Sequence, residues 1–210
     1  MTLGIAIPSY KEHIPYLYVL LDQISKSTIL PEQVSVSISS FDDELELKDY
    51  PFELIIIKTS DFKNTSQNRN IAGSKLTTDI ISFIDSDDLP HIKRNEYLLD
   101  SIKQGSKIIV HNYEMGIHPN TVCDNPIGGL ILHQEYVDTY FGERNYPQSS
   151  KGHQDYHNAH ITLIRSIFDE FKYNEDQTFF KCEDSVYTSL LVNNGLNICY
   201  IQNKLSYYRH

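Results

Sequence analysis

Ile80-Ile81-Ser82-Phe83-Ile84-Asp85-Ser86-Asp87-Asp88 is an apolar run that stops abruptly in carboxylates. Its length and its bounding acids predict a buried strand that delivers charged side chains where it leaves a sheet. Upstream, Ile5 to Ile7, Val34 to Ile38 and Leu54 to Ile57 read as three more strands, the second alternating with serines. Between the first two, Ile14, Leu17, Leu21 and Ile24 recur on one helical face. Downstream of Pro90, Ile92, Leu99 and Ile102 share a helical stripe, and Lys107 to Val110 forms a further strand. Strands alternating with helices predict an α/β fold, with a central, mostly parallel mixed sheet flanked by helices on both faces.

The stretch from Asn112 to about His160 lacks periodicity and is rich in Gly, Pro, Asn, His and Tyr, which predicts loops and short strands over a site. Order returns with Ile161 to Phe171. Glu183-Asp184 then opens a helix with Val186, Tyr187, Leu190 and Leu191 inward, closed by Asn193-Asn194-Gly195. Two short strands, Asn197 to Ile201 and Lys204 to Tyr208, are expected to finish the chain. Residues 1–210 are expected to form one domain, and the strand-like ending at His210 suggests a piece of a longer protein.

Among the 210 residues, 28 are acidic and 18 basic, a formal charge of −10. Such a chain, with no basic run, repels a polyphosphate backbone, which argues against sequence-independent nucleic-acid binding. Small anions remain possible ligands if a metal ion supplies local charge. Cys123, Cys182 and Cys199 are scattered without a C-x-x-C pair, so neither a disulfide framework nor a thiolate zinc site is signalled. No apolar run approaches the ~18 residues of a membrane span, and no signal-peptide pattern opens the chain, so a cytoplasmic protein is expected. Fifteen tyrosines and no tryptophan suit a pocket for sugars without proving one.

In open α/β sheets ligands gather at the carboxyl ends of the strands. Carboxylates there suit Mn²⁺ or Mg²⁺, which leave coordination positions for substrate phosphates; an acidic turn before Pro90 is the plainer explanation. Context favours chemistry. Ile7-Pro8-Ser9-Tyr10 puts a ring and a hydroxyl at the end of the first strand. Gln67-Asn68-Arg69-Asn70 offers a guanidinium near a helix start, and Glu183-Asp184 places two acids in a first helical turn. His153, His157 and His160 have the four-and-three spacing of a zinc-binding helix, but Gly152 and Asn158 weaken a helix there. Supporting an acceptor pocket is the simpler role for them.

In this order Ile7-Pro8-Ser9-Tyr10, Asn68-Arg69-Asn70, Asp85-Ser86-Asp87, Glu183-Asp184 and Tyr207-Tyr208-Arg209-His210 resemble the GT-A nucleotide-sugar glycosyltransferases of the family 2 type. The resemblance implies a GT-A fold and Mn²⁺- or Mg²⁺-dependent transfer of a sugar from a nucleoside diphosphate to an acceptor hydroxyl. It implies Asp87 as metal ligand, with Asp85 holding the ribose or a metal-bound water, and His210 as a second protein ligand. Pro8 and Tyr10 would flank the base, Arg69 would approach the base or the diphosphate, and Arg209 would lie near the phosphates. Asp184 would be the general base, with Glu183 as the alternative. Family members often end the second strand with an aspartate that reads uracil. Here only hydroxyls stand there, of which Ser39 is the candidate contact. The resemblance also assigns residues 1–110 to the nucleotide and 111–210 to the acceptor.

More narrowly, the chain resembles the N-terminal domains of enzymes with which large algal viruses, the chloroviruses, glycosylate their major capsid protein. That implies a UDP-sugar donor, UDP-rhamnose or UDP-glucose, a glycan or glycoprotein acceptor, and host cytoplasm as the location. Alternatives are a retaining transferase and a catalytically silent nucleotide-sugar or glycan-binding domain. A nucleotidyltransferase needs a glycine-rich basic loop after the first strand, and a dinucleotide oxidoreductase needs G-x-G-x-x-G. Ser9-Tyr10-Lys11-Glu12 is neither.

Overall fold

The computed structural model describes residues 1–116, 129, 132–133, 139–141, 147–149, 158–179 and 182–209, without the side chains of 116, 132–133, 139–141, 147–149, 158, 179 and 209. Cys123, His153, His157 and His210 lie outside the described residues. So does most of the 112–160 stretch.

The predicted strands pair as a mixed sheet. β1 (Leu3–Tyr10) lies parallel between β2 (Gln33–Ser39) and β4 (Ile80–Phe83), and β3 (Glu53–Thr59) extends the parallel half beyond β2. β10 (Thr162–Ile164) then enters antiparallel between β4 and β6 (Ile108–Gly116). β11 (Cys199–Arg209) runs parallel to β6, and its outer edge carries β7 (Leu132–His133) and β5 (Leu89–Pro90). A separate two-stranded sheet joins β8 (Thr139–Phe141) and β9 (Pro147–Ser149).

Alternation along the strands assigns the helices to faces. Ile5 and Ile7 of β1, with Val34, Val36 and Ile38, pack on α1 (Ile14–Ile24), while Leu3, Ile80 and Ile109 pack on α3 (Arg94–Lys103). Ala6, Ile81, Phe83 and Val110 point the other way, against α2 (Thr65–Lys75), α4 (Arg165–Glu170) and α5 (Glu183–Asn193). Both faces are therefore covered, and the serines of β2 are as buried as its valines.

Three details differ from the sequence-based expectation. The two closing strands are one strand, whose register against β6 shifts between Ile201, Lys204 and Ser206. Gln202 and Asn203 interrupt the apolar alternation at this bulge without ending the strand. In α5 Leu190 is exposed, and the small side chains of Thr188 and Ser189 turn inward, each hydroxyl donating to the Ser185 carbonyl. In α3 Leu98 rather than Leu99 fills the core, beside Tyr97 and Ile102.

Helix α2 has no apolar stripe: its buried positions are Ser66, Asn68, Arg69, Asn70, Ala72 and Gly73. A capping box closes its start, with Asn64 accepting from the Gln67 amide at 2.9 Å and Gln67 accepting from the Asn64 amide at 3.0 Å. Gly73 lets the helix lie against Phe168, whose ring would stand 2.5 Å from an added Cβ. Gly73→Ala is expected to cost about 1–3 kcal/mol through overpacking, against the ~1 kcal/mol that alanine normally gains over glycine in a helix. Urea unfolding that shows the variant as stable as the parent would contradict this packing.

Candidate active site

The carboxyl end of β4 meets the start of α5 through one side chain. Arg69, 1% exposed, donates from Nη2 to Asp85 Oδ1 at 2.7 Å and from Nη1 to Glu183 Oε1 at 2.7 Å. Its guanidinium also lies 5.4 Å over the Tyr173 ring. Burial works against the charge, but Asp85, Tyr173 and Glu183 together hold the group above its ordinary pKa. Burial pushes the Glu183 carboxyl up, Arg69 pulls it back, and Asp184 adds a further upward push. The residues flanking Arg69 hold other elements. Asn68 donates to the Ser9 and Lys63 carbonyls and accepts from Ser37, and Asn70 bonds the Tyr173 backbone and Glu175.

A cleft of about 460 Å³ opens above this arrangement. Pro8, Tyr10, Arg69, Asp85, Asp87 and Glu183, six of the residues expected from sequence, line it together. Ser39 does not: it is fully buried, and its hydroxyl donates to the Lys63 carbonyl at 3.3 Å. Asp184 stands beside Glu183 outside the lining, and its Oδ1 accepts from the Ser185 amide at 2.7 Å. The backbone of Arg209 pairs with Gly116, and its side chain, like all of His210, lies outside the described residues.

Sequence reasoning missed Phe62, Lys63 and His13, which also line the cleft. His13 ends a short 3₁₀ turn after β1, where it bonds the Tyr10 hydroxyl and Ser86 Oγ and lies 3.9 Å from Asp87. Its spacing from Tyr10 was the only available signal. A second cleft, of about 420 Å³ and lined by Gln104, Lys107 and Asn197 among others, carries no carboxylate or imidazole.

Behind the strand end, Asp88 and His160 are wholly buried, with Nε2–H of His160 donating to Asp88 Oδ2 at 2.8 Å and Nδ1 meeting Ser206 Oγ at 2.9 Å. Arg94 braces them, donating to the Phe83 and His160 carbonyls and, from Nε, to Nε2 of His111. An imidazole nitrogen that accepts from a guanidinium carries no proton, so His111 is neutral and its Nδ1–H donates to the Asn112 carbonyl. Burial pulls the Arg94 guanidinium down to about 9.

Asp85, Asp88 and His160 each offer a ligand atom within 4.8 Å of the others. Two carboxylate oxygens, with an imidazole nitrogen once Nε2 gives up its proton, could hold a divalent cation such as Mn²⁺ or Mg²⁺. Only Asp85 of these three lines the cleft, alongside Asp87.

Removing the cation of a buried pair leaves its anions uncompensated, so Arg69→Met is expected to cost about 3–5 kcal/mol in urea unfolding; a loss below about 1 kcal/mol would show that the pair is not buried as described. Glu183, raised above its ordinary value, favours the folded state fully below that value and loses this contribution as pH rises through its folded-state pKa. The stability difference between the parent and Glu183→Gln should change in that window. Carbon-13 NMR should find the Glu183 carboxyl titrating above the usual carboxylate range.

The sequence matches the family described as "Glycosyl transferase family 2" over residues 4–171. No curated protein matches it. Among solved structures, S. aureus TarS 1–349 in complex with UDP superposes with a TM-score of 0.65 at 14% identity, covering 100% of this chain and 61% of that one. The same fragment in complex with UDP-GlcNAc gives 0.65 at 14% identity, covering 100% and 59%. A longer TarS structure gives 0.66 at 15% identity, covering 100% and 37%. At such identities the structural likeness bears on fold alone, and the chain spans about 60% of the TarS fragment. The family match covers most of the chain and agrees with the sheet order and the strand-end cleft: the chain belongs to glycosyl transferase family 2 and has the GT-A fold.

Proposed function

We propose that the cleft transfers a sugar from a UDP-sugar to a hydroxyl of a glycan or glycoprotein, with Mn²⁺ or Mg²⁺, inverting the anomeric centre. The observation that carries this reading is the double ion pair of Arg69, which gathers strand-end and helix-start carboxylates around one cleft. Among the described residues of its lining two cations, Lys63 and Arg69, face three carboxylates, and Arg69 is already engaged by two of them. A diphosphate needs more positive charge than this. Asp87 and Asp85 would hold the ion, with His160 and Asp88 behind, and when bound it would neutralise charge developing on the leaving diphosphate.

Pro8 and Tyr10 suit the nucleoside end of the donor. Arg69 acts through the carboxylates it holds, so its contribution to donor affinity is indirect. In a single displacement the acceptor hydroxyl attacks from the face opposite the diphosphate, and a carboxylate must take its proton there. Asp184 suits this better than Glu183, because Glu183 is bound to Arg69, whereas among the described residues Asp184 Oδ2 has no hydrogen bond. Glu183 then orients the groups around it.

UDP as the nucleotide draws support from the TarS structures holding UDP and UDP-GlcNAc. UDP-rhamnose or UDP-glucose as donor, a viral capsid glycan as acceptor, the host cytoplasm as location and residues 111–210 as the acceptor half rest on the sequence resemblance. No helix among the described residues is long and apolar enough to cross a membrane.

A thermal-shift panel of UDP, GDP and dTDP, each with and without Mn²⁺, tests the reading. UDP with Mn²⁺ should stabilise the protein by about 2.7 kcal/mol at a hundredfold excess over its Kd, and Asp87→Asn should abolish the part that depends on Mn²⁺. Equal shifts with and without Mn²⁺ would remove the metal from the proposal. Asp184→Asn should keep donor binding and melting temperature while losing transfer; near-normal transfer, or a product with retained anomeric configuration, would overturn the mechanism.

A further inference from the structure

Phe62 is 60% exposed, yet the loop that carries it is pinned on both sides, on the Lys63 side by the buried Ser39, Asn64 and Asn68. The Asp61 carbonyl accepts from the Ser40 amide at 3.2 Å and from Thr59 Oγ1 at 3.2 Å. The Lys63 carbonyl accepts from Ser39 Oγ at 3.3 Å and Asn68 Nδ2 at 3.2 Å, and Asn64 caps α2. A large apolar ring held in water by a fixed loop, on the rim of a cleft, has surface to offer a ligand. Tyr10, on the same cleft, already has its ring 3.9 Å from that of His13. Among the described residues Phe62 stacks on no other ring.

The sheet order says which part of a ligand reaches Phe62. It follows the end of β3, and Asp85 follows the end of β4; between them lie β2 and β1. Three strand spacings separate those ends, roughly 14 Å, a distance that a ribose and a base can fill. A nucleotide with its phosphates on the Asp85–Asp87 side extends its base toward β3. Beneath that path Ser37 is committed to Asn68, Ser39 to Lys63, and Asn68 to Ser37, Ser9 and Lys63, while the buried Ser9 hydroxyl on the cleft has no protein partner among the described residues. The aromatic side chain at that end of the cleft is Phe62, beside Lys63 and Thr65.

We propose that Phe62 is the stacking platform for the nucleobase of the donor, a role that rests on the nucleotide-sugar reading above. The test is calorimetry of UDP and of inorganic pyrophosphate, each with Mn²⁺, on the parent, Phe62→Ala and Phe62→Trp. Loss of one base–aromatic stack should raise the Kd of UDP about tenfold in Phe62→Ala. Pyrophosphate, which has no base, should bind all three alike, and Phe62→Trp should restore UDP affinity. UDP affinity unchanged in Phe62→Ala, or pyrophosphate weakened as much as UDP, would overturn the assignment while leaving the nucleotide reading intact. Failure of the parent to bind UDP, GDP or dTDP with Mn²⁺ would overturn both.

Discussion

Arg69 carries a full charge into a place that water hardly reaches, and the rest of the site depends on how that charge is met. A buried guanidinium without anions would be costly, and buried carboxylates without a cation would be costlier still. Asp85 and Glu183 resolve both problems from two elements, the exit of β4 and the first turn of α5. The geometry of the cleft therefore follows from a charge-balance requirement. Its neighbours extend the same logic with neutral groups. Consecutive residues on a helix point about 100° apart, so Asn68, Arg69 and Asn70 reach three different directions. Asn68 fastens the ends of β1 and β2, Arg69 fastens β4 to α5, and Asn70 fastens the segment at Tyr173 that leads into α5.

The parallel half of the sheet was readable from the sequence because local periodicity determines it. Ile5 to Ile7, Val34 to Ile38 and Ile80 to Ile84 are apolar runs of strand length separated by turn residues, and the carboxylates after Ile84 mark a strand end unambiguously. The antiparallel insertion of β10 carries no such mark. Three residues suffice for it, and its place between β4 and β6 is set by pairing across the chain. The buried set Asp88, His160 and Ser206 was equally hidden, since its members stand 72 and 46 residues apart. Arg69 shows a different limit. Its letter signals a cation, and only the polar buried face of α2 reveals that the cation works inside the protein rather than toward solvent. Phe62 was passed over for the opposite reason, because a phenylalanine after a strand reads as core until its exposure is known.

These features also divide the site into a rigid base and a reactive rim. Below are fully buried, mutually bonded groups: Asp88 with His160, Arg94 with His111, Ser37 with Asn68. Low dielectric strengthens such bonds and makes their loss expensive, so they fix positions well. Above are Asp87, Tyr10, Phe62 and Lys63, which retain contact with solvent and can exchange partners. Asp85 and Glu183 lie at the boundary, each with one oxygen bound to Arg69. A site built this way holds its shape while leaving a few groups available to a ligand.

Charge gives that division a consequence for the order of events. The chain as a whole carries −10, and the described residues of the cleft add no local excess of positive charge to offset it. Of its two cations, Arg69 is spent on holding Asp85 and Glu183, which leaves Lys63. The N-terminus of α2 contributes a partial positive charge of roughly half a unit, but its capping box already occupies two of its amide hydrogens. A bare nucleoside diphosphate approaching this surface would be repelled by the overall field before any contact formed. Paired with a divalent cation it would approach with much of its charge cancelled, and the same carboxylates that repel the free anion would attract the pair. On the proposed reading the acidity of the cleft would favour the metal-loaded ligand over the free anion, with the Arg69 pair keeping the carboxylates in place.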